Sequence, residues 1–205
     1  MGGDQEHREC LHLPRDAVRY PVAWRPPAGF VAEDLSTWPR LDGRLELVEG
    51  RIEYMPPCGE EQQDVATDVT GILRAWVRAH PDFVVGSNEA GMLLDGEVRG
   101  ADAAVWRRDD VGVTTGLRRK PPILAVEIAG EDEDEATLRE KAHWYFDHGT
   151  QIVWIVLPAE RAVVALGIDG RDERHRTGDR LSEHPALPDL TPEVSELFWQ
   201  LDRRR

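Results

Sequence analysis

Three side chains have the types and setting to do chemistry together: Asp102, Glu127 and Lys141. Glu127 interrupts "ILAVEIA" (123–129), which is otherwise apolar, and Asp102 interrupts "GADAAVW" (100–106). Both runs read as strands. A carboxylate buried in a strand is expensive unless it is neutral, paired with a base or bound to a metal. Two carboxylates on neighbouring strands would offer hard oxygen ligands suited to Mg2+ or Mn2+. The plainer alternative is that each caps a loop or pairs with one of the 25 Lys and Arg residues. Only two of those are lysines, Lys120 and Lys141. Lys141 falls on the helix expected after Glu127, where a compact ammonium could orient a water and offset phosphate charge. A surface lysine paired along its own helix is the bland reading.

The elements that must position these groups follow from periodicity. "FVAEDLSTWP" spaces Phe30, Val31, Leu35 and Trp38 as a helix ending at Pro39. "GRLELVEGRIEYMPP" alternates around Glu49-Gly50, which predicts a β-hairpin. Val65, Val69, Ile72, Leu73, Trp76 and Val77 form a helical stripe closed by Pro81. "DFVVGSN", "AGMLLDG" and "GADAAVWRR" read as three short strands, and a helix is expected from Glu131 to His148 with Leu138, Ala142, Tyr145 and Phe146 inward. "QIVWIVLP" is apolar throughout, as in a strand covered on both faces. "RAVVALGIDG" adds a strand, residues 171–184 are too charged for a core, and "LPDLTPEVSELF" suggests a closing helix capped by Thr191. This order is that of a mixed α/β domain with helices on a central sheet.

Bulk properties narrow the function classes. The 205 residues suffice for one domain, read here as 30–205, preceded by a proline-rich, partly disordered extension over 1–29. No apolar run is long enough for a membrane span, and "MGGDQEHREC" does not resemble a secretory signal, so a cytoplasmic protein is expected. Cys10 and Cys58 form no metal pattern and are expected to be free thiols. A formal net charge of −14 repels polyphosphate, so DNA as a partner requires local cations, for which "GLRRKPP" and the terminal "DRRR" are the basic clusters. "GEDEDEA" suits a helix N-terminus through the dipole. His143 and His148 are five residues apart and do not share a face for zinc.

Taken in order, "LELVEGRIEYMPP", "GADAAVW", "ILAVEIAG" and "EKAHWYFDHGTQIVWIVLP" resemble the Uma-two family of bacterial proteins assigned as endonucleases, in the PD-(D/E)XK restriction-endonuclease-like superfamily. The resemblance runs from "DLSTWP" through "LPDLTPEVSELF". It implies an α/β (α+β) restriction-endonuclease-like core, a central mixed sheet flanked by helices with an N-terminal β-hairpin. It further implies Mg2+-dependent (or Mn2+-dependent) hydrolysis of DNA phosphodiesters, and because a cleft that cuts duplex DNA often needs two copies, a homodimer is expected. The catalytic positions carried over are Glu46, Asp102, Glu127 and Lys141, with Asp102 and Glu127 as metal ligands. The chain departs from the family pattern at Ala101 (a proline), Gly130-Glu131 (Ser-Pro), Leu157 (an aspartate) and Glu61 (a histidine). Glu61 thereby competes with Glu46 as the first acidic residue. Two other functions fit the same residues: a catalytically silent member acting as a protein-binding module, and a hydrolase of small phosphorylated substrates.

Overall fold

In the computed structural model the described residues are 18–112, 116–131 and 133–203. Disorder expected at the start of the extension, Cys10, and the last two arginines of "DRRR" lie outside them. Among these residues the strands are β1 (Val22–Trp24), β2 (Arg44–Val48), β3 (Arg51–Met55), β4 (Phe83–Leu94), β5 (Glu97–Arg107), β6 (Leu124–Ile128), β7 (Ile152–Leu157), β8 (Ala162–Gly167) and β9 (Asp172–Arg176). These nine make one sheet in the order β1-β3-β2-β5-β6-β7-β8-β9, with β4 pairing β5 off this path. The helices are α1 (Glu60–Ala79), α2 (Glu135–Asp147) and α3 (Trp199–Arg203). Among the named strands β6 and β7 are the parallel pair, joined through α2; the other pairings are antiparallel.

The hairpin forms because Glu49 and Gly50 both adopt positive φ (49° and 73°), the combination a two-residue turn needs to match strand twist. Val65, Val69, Leu73 and Trp76 bury the α1 stripe on one sheet face, against Leu124, Val126, Val156 and the C-terminal Val194, Leu197 and Phe198. On the opposite face α2 sets Leu138, Ala142 and Tyr145 over Ala104, Ala125, Val153 and Ile155. Alternation along β6 therefore divides Leu124, Val126 and Ile128 from Ala125 and Glu127. Glu127 thus falls on the α2 side.

Several elements differ from expectation. "FVAEDLSTWP" makes only a 3₁₀ turn at Leu35–Thr37, because Thr37 Oγ1 donates to the Val31 and Asp34 carbonyls and closes the loop locally. "DFVVGSN" and "AGMLLDG" are one strand, β4, whose register shifts between Ser87 and Ala90. The second helix starts at Glu135 because Asp134 caps it, accepting from Thr137 N at 2.9 Å. Charged residues 172–176 form the edge strand β9, where charge suits an unpaired edge. Thr191 caps no helix: the closing segment is a 3₁₀ turn (Val194–Phe198) running into α3. Val22–Trp24, read as part of the N-terminal extension, pairs with β3 at the end of the strand order opposite β9. No helix among the described residues is long and apolar enough to cross a membrane.

Candidate active site

Lys141 is buried, and its ammonium has three acceptors. It donates to Glu46 Oε1 at 3.1 Å, Gly100 O at 2.9 Å and Glu127 Oε2 at 3.0 Å. An ammonium carries three N–H donors, so this set saturates it. Three elements meet here: β2 supplies Glu46, β6 supplies Glu127, and α2 supplies Lys141 one turn before Tyr145. The Tyr145 hydroxyl donates to the other Glu127 oxygen, Oε1, at 2.5 Å. The Gly100 amide donates to Glu46 Oε1 at 3.0 Å, so the β5 backbone contacts both members of the Glu46–Lys141 pair.

Asp102 stands beside this cluster. One step beyond the Ala103–Val126 pair, the register brings it level with Glu127. Its Oδ2 accepts from Ile128 N at 2.7 Å, and the Ile128 carbonyl accepts from Gln62 Nε2 at 2.9 Å. Arg44 approaches from β2: Nη1 is 3.9 Å from Asp102 Oδ1, Nε is 3.9 Å from Glu46 Oε1, and Nη2 is 3.4 Å from Glu133 Oε1. Gly43 (φ 135°) starts the turn into β2, and a Cβ there would collide with the Met55 carbonyl and the Tyr54 ring.

Burial dominates the electrostatics. Desolvation pushes Glu127 up to about 7: it outweighs the lowering by Lys141 and Arg44, and Asp102 and Glu46 add to the rise. Desolvation also raises Asp102. Glu46 goes the other way: burial would raise it, but Lys141, Arg44 and the Gly100 amide hold it below its usual value. Burial favours a neutral Lys141, yet Glu127 and Glu46 raise its pKa and keep it charged.

All four residues picked from sequence are therefore in one region, with Glu46, Glu127 and Lys141 in direct contact and Asp102 alongside. Glu61 is exposed on α1 and lines a neighbouring cleft with Gly130 and Glu131, whereas Glu46 contacts Lys141 directly. Sequence reasoning did not single out Arg44, Gln62 or Glu133. Arg44 carried a signal, since it precedes Glu46 by two in a strand and so shares its face. Of the basic cluster, Arg118 stacks on Trp106 and Arg119 faces Glu33. Cys58 is free and exposed.

The donor set can be tested for a divalent cation. Four carboxylates (Glu46, Asp102, Glu127, Glu133) surround two cations (Arg44, Lys141), a formal excess of two negative charges. Among the described residues Asp102 Oδ1 has only the distant Arg44 contact, and the Ile128 carbonyl keeps a second lone pair. Among the described residues no three His, Cys, Asp or Glu side chains form a ready cage. Mg2+ needs none: one or two carboxylates with retained waters is its usual protein environment. Asp102, Glu127 and the Ile128 carbonyl thus fit a hard divalent ion.

A search among curated proteins finds no match. A crystal structure described as "a putative nuclease belonging to DUF820 from Anabaena variabilis ATCC 29413" superposes with a TM-score of 0.71 at 18% identity, covering 81% of this chain and 96% of the other. At that identity the likeness establishes the fold, which is restriction-endonuclease-like. The sequence model of the Uma2 family, described as "Putative restriction endonuclease", matches residues 32–197. With its fold and most of its length accounted for in this way, the chain belongs to the Uma2 family.

Proposed function

We propose that the protein is a Mg2+-dependent endonuclease that hydrolyses DNA phosphodiester bonds. The observation that carries this reading is the buried Glu46–Lys141–Glu127 contact with Asp102 beside it. Buried charge on this scale is costly to stability, and such clusters concentrate at functional sites. A divalent ion held by Asp102, Glu127 and the Ile128 carbonyl would polarise the phosphate and acidify a water.

The chain's own groups prepare that site. The Ile128 amide anchors Asp102 through Oδ2 and leaves Oδ1 to the loose contact with Arg44 at 3.9 Å. Tyr145 and Lys141 hold one oxygen each of Glu127 and fix its plane. Lys141, kept protonated, serves as a charge and a donor rather than as a base. Because its three donors are engaged, it must release Glu46, Glu127 or Gly100 before it can donate to a water or a phosphate oxygen. Cutting both strands of a duplex would require two copies, which motivates the homodimer.

A second reading has its own support. A cleft of about 390 Å3 beside the site is lined by Glu61, Glu131, Glu133, Asp134, Glu135 and Glu160, an unwelcoming approach for a polyanion. With Arg44 facing the carboxylates, the same fold would serve as a catalytically silent protein-binding module. Nicking of supercoiled plasmid in Mg2+ or Mn2+ decides between them. Wild type should cleave, and Asp102→Asn and Lys141→Ala should each lose about 100-fold or more. Absence of metal-dependent cleavage by folded wild type, on any nucleic acid, overturns the endonuclease.

A further inference from the structure

Arg44 is the cation in the site that fits its surroundings least. Its Nη2 makes one long hydrogen bond to Glu133 at 3.4 Å, while the guanidinium's contacts with Glu46 and Asp102, both at 3.9 Å, are near enough for Coulomb attraction but too long for hydrogen bonds. Its Nε is buried with no hydrogen-bond partner among the described residues. The contrast with Arg139 is direct: that guanidinium meets Asp172 at 2.8 and 3.0 Å and Glu135 at 2.8 Å. An arginine with its choice of geometry makes short, paired bonds to carboxylates. Arg44 is surrounded by three carboxylates and makes no short or paired bond to any of them, only the single long one to Glu133, so charge more than shape holds it there.

Its position coincides with the ligand least committed elsewhere. Asp102 Oδ2 is taken by the Ile128 amide, whereas Oδ1 has the loose contact with Arg44. A divalent ion at Asp102 would bring its charge close to the guanidinium. The two cannot both be held well by that carboxylate, and Glu133, already the nearest of the three carboxylate partners at 3.4 Å, can keep Arg44 without Asp102.

From this geometry we infer that Arg44 is a resident counter-ion that competes with the divalent cation for Asp102 and moves toward Glu133 when the cation binds. It is a positioning residue, setting cation affinity without being a ligand. The inference rests on the divalent-site reading above but not on cleavage.

Titrating Mn2+ into the full chain by calorimetry tests it. Arg44→Ala removes a like charge from the site and should tighten Mn2+ binding by about tenfold or more. Combination with Asp102→Asn should abolish the gain. The variant should be less stable than wild type in a chelator and recover most of that loss in Mn2+. Arg44→Gln keeps most of the stem and an amide donor but no charge, and gives the same measurement where the alanine variant does not fold. Unchanged or weaker affinity in both neutral variants overturns the inference, because a merely structural arginine would behave that way. Absence of Mn2+ binding by wild type and both variants overturns it together with the divalent site. Tightened binding without nucleic-acid cleavage sustains the role of Arg44 and removes the endonuclease. Cleavage by wild type with unaltered affinity in the variants does the reverse.

Discussion

Lys141 and Arg139 lie two residues apart on α2 and face different worlds. Arg139 is a third exposed and makes a fork with Asp172 plus a bond to Glu135 at i−4. Arg174 joins the same girdle through Glu160 and Glu135. Lys141 is buried among Glu46, Glu127 and the Gly100 carbonyl. By hydrogen-bond geometry the outer pair is at least as good. By energy the inner cluster matters far more, because neither partner can fall back on water when the other is removed. Close contacts of one chemical type thus differ in consequence according to what would solvate them once broken.

Lys141 is where the two environments differ most in energy. Replacing it with alanine strands Glu46 and Glu127, and urea denaturation should register a loss of about 3–5 kcal/mol. A loss no larger than that of a surface substitution would mean that water reaches the site freely.

Protonation of the buried cluster has a smaller effect on stability. Glu127 has a folded pKa of about 7 against a reference of 4.5. Below 4.5 the group is protonated in both states and costs nothing. As pH rises toward 7 the unfolded chain releases the proton while the folded one retains it, so stability falls, and the loss is complete above the folded value. In a chelator, wild type should lose about 3 kcal/mol across this window that Glu127→Gln does not lose, read as the difference between their unfolding free energies. Parallel curves for the two proteins would show that Glu127 is ionised throughout.

The smallest effect belongs to the outer pair. A double-mutant cycle on Arg139 and Asp172 should return a coupling of about 0.2–1 kcal/mol, diminished by added salt. A value rivalling that of Lys141 would erase the distinction between the two faces of the helix.

Much of the fold was legible because periodicity and turn chemistry agree there. The Glu49-Gly50 turn, the α1 stripe and the unbroken apolar run of β7 each have one physical solution. The misreadings fall where a local rule competes with tertiary pairing. The glycine in "DFVVGSN" and the polar residues after it suggest a break, yet β5 pairs continuously enough to carry β4 through a bulge. Residues 172–176 lack apolar character because an edge strand needs none. At the site, Asp102 and Glu127 were conspicuous as charges in apolar runs, and Glu46 came from resemblance. Arg44 was hidden by its type, since one arginine among 23 in an exposed-looking hairpin carries no mark of burial. Gln62 and the Gly100 peptide groups were hidden because their roles depend on where backbone atoms arrive.

Gly100 has no side chain to remove, yet its amide hydrogen points at Glu46 and its carbonyl oxygen at Lys141. Alanine scanning would pass over it. The same two atoms make it a natural listening post: its amide resonance should register any rearrangement of the neighbouring charges, in an otherwise unmodified protein.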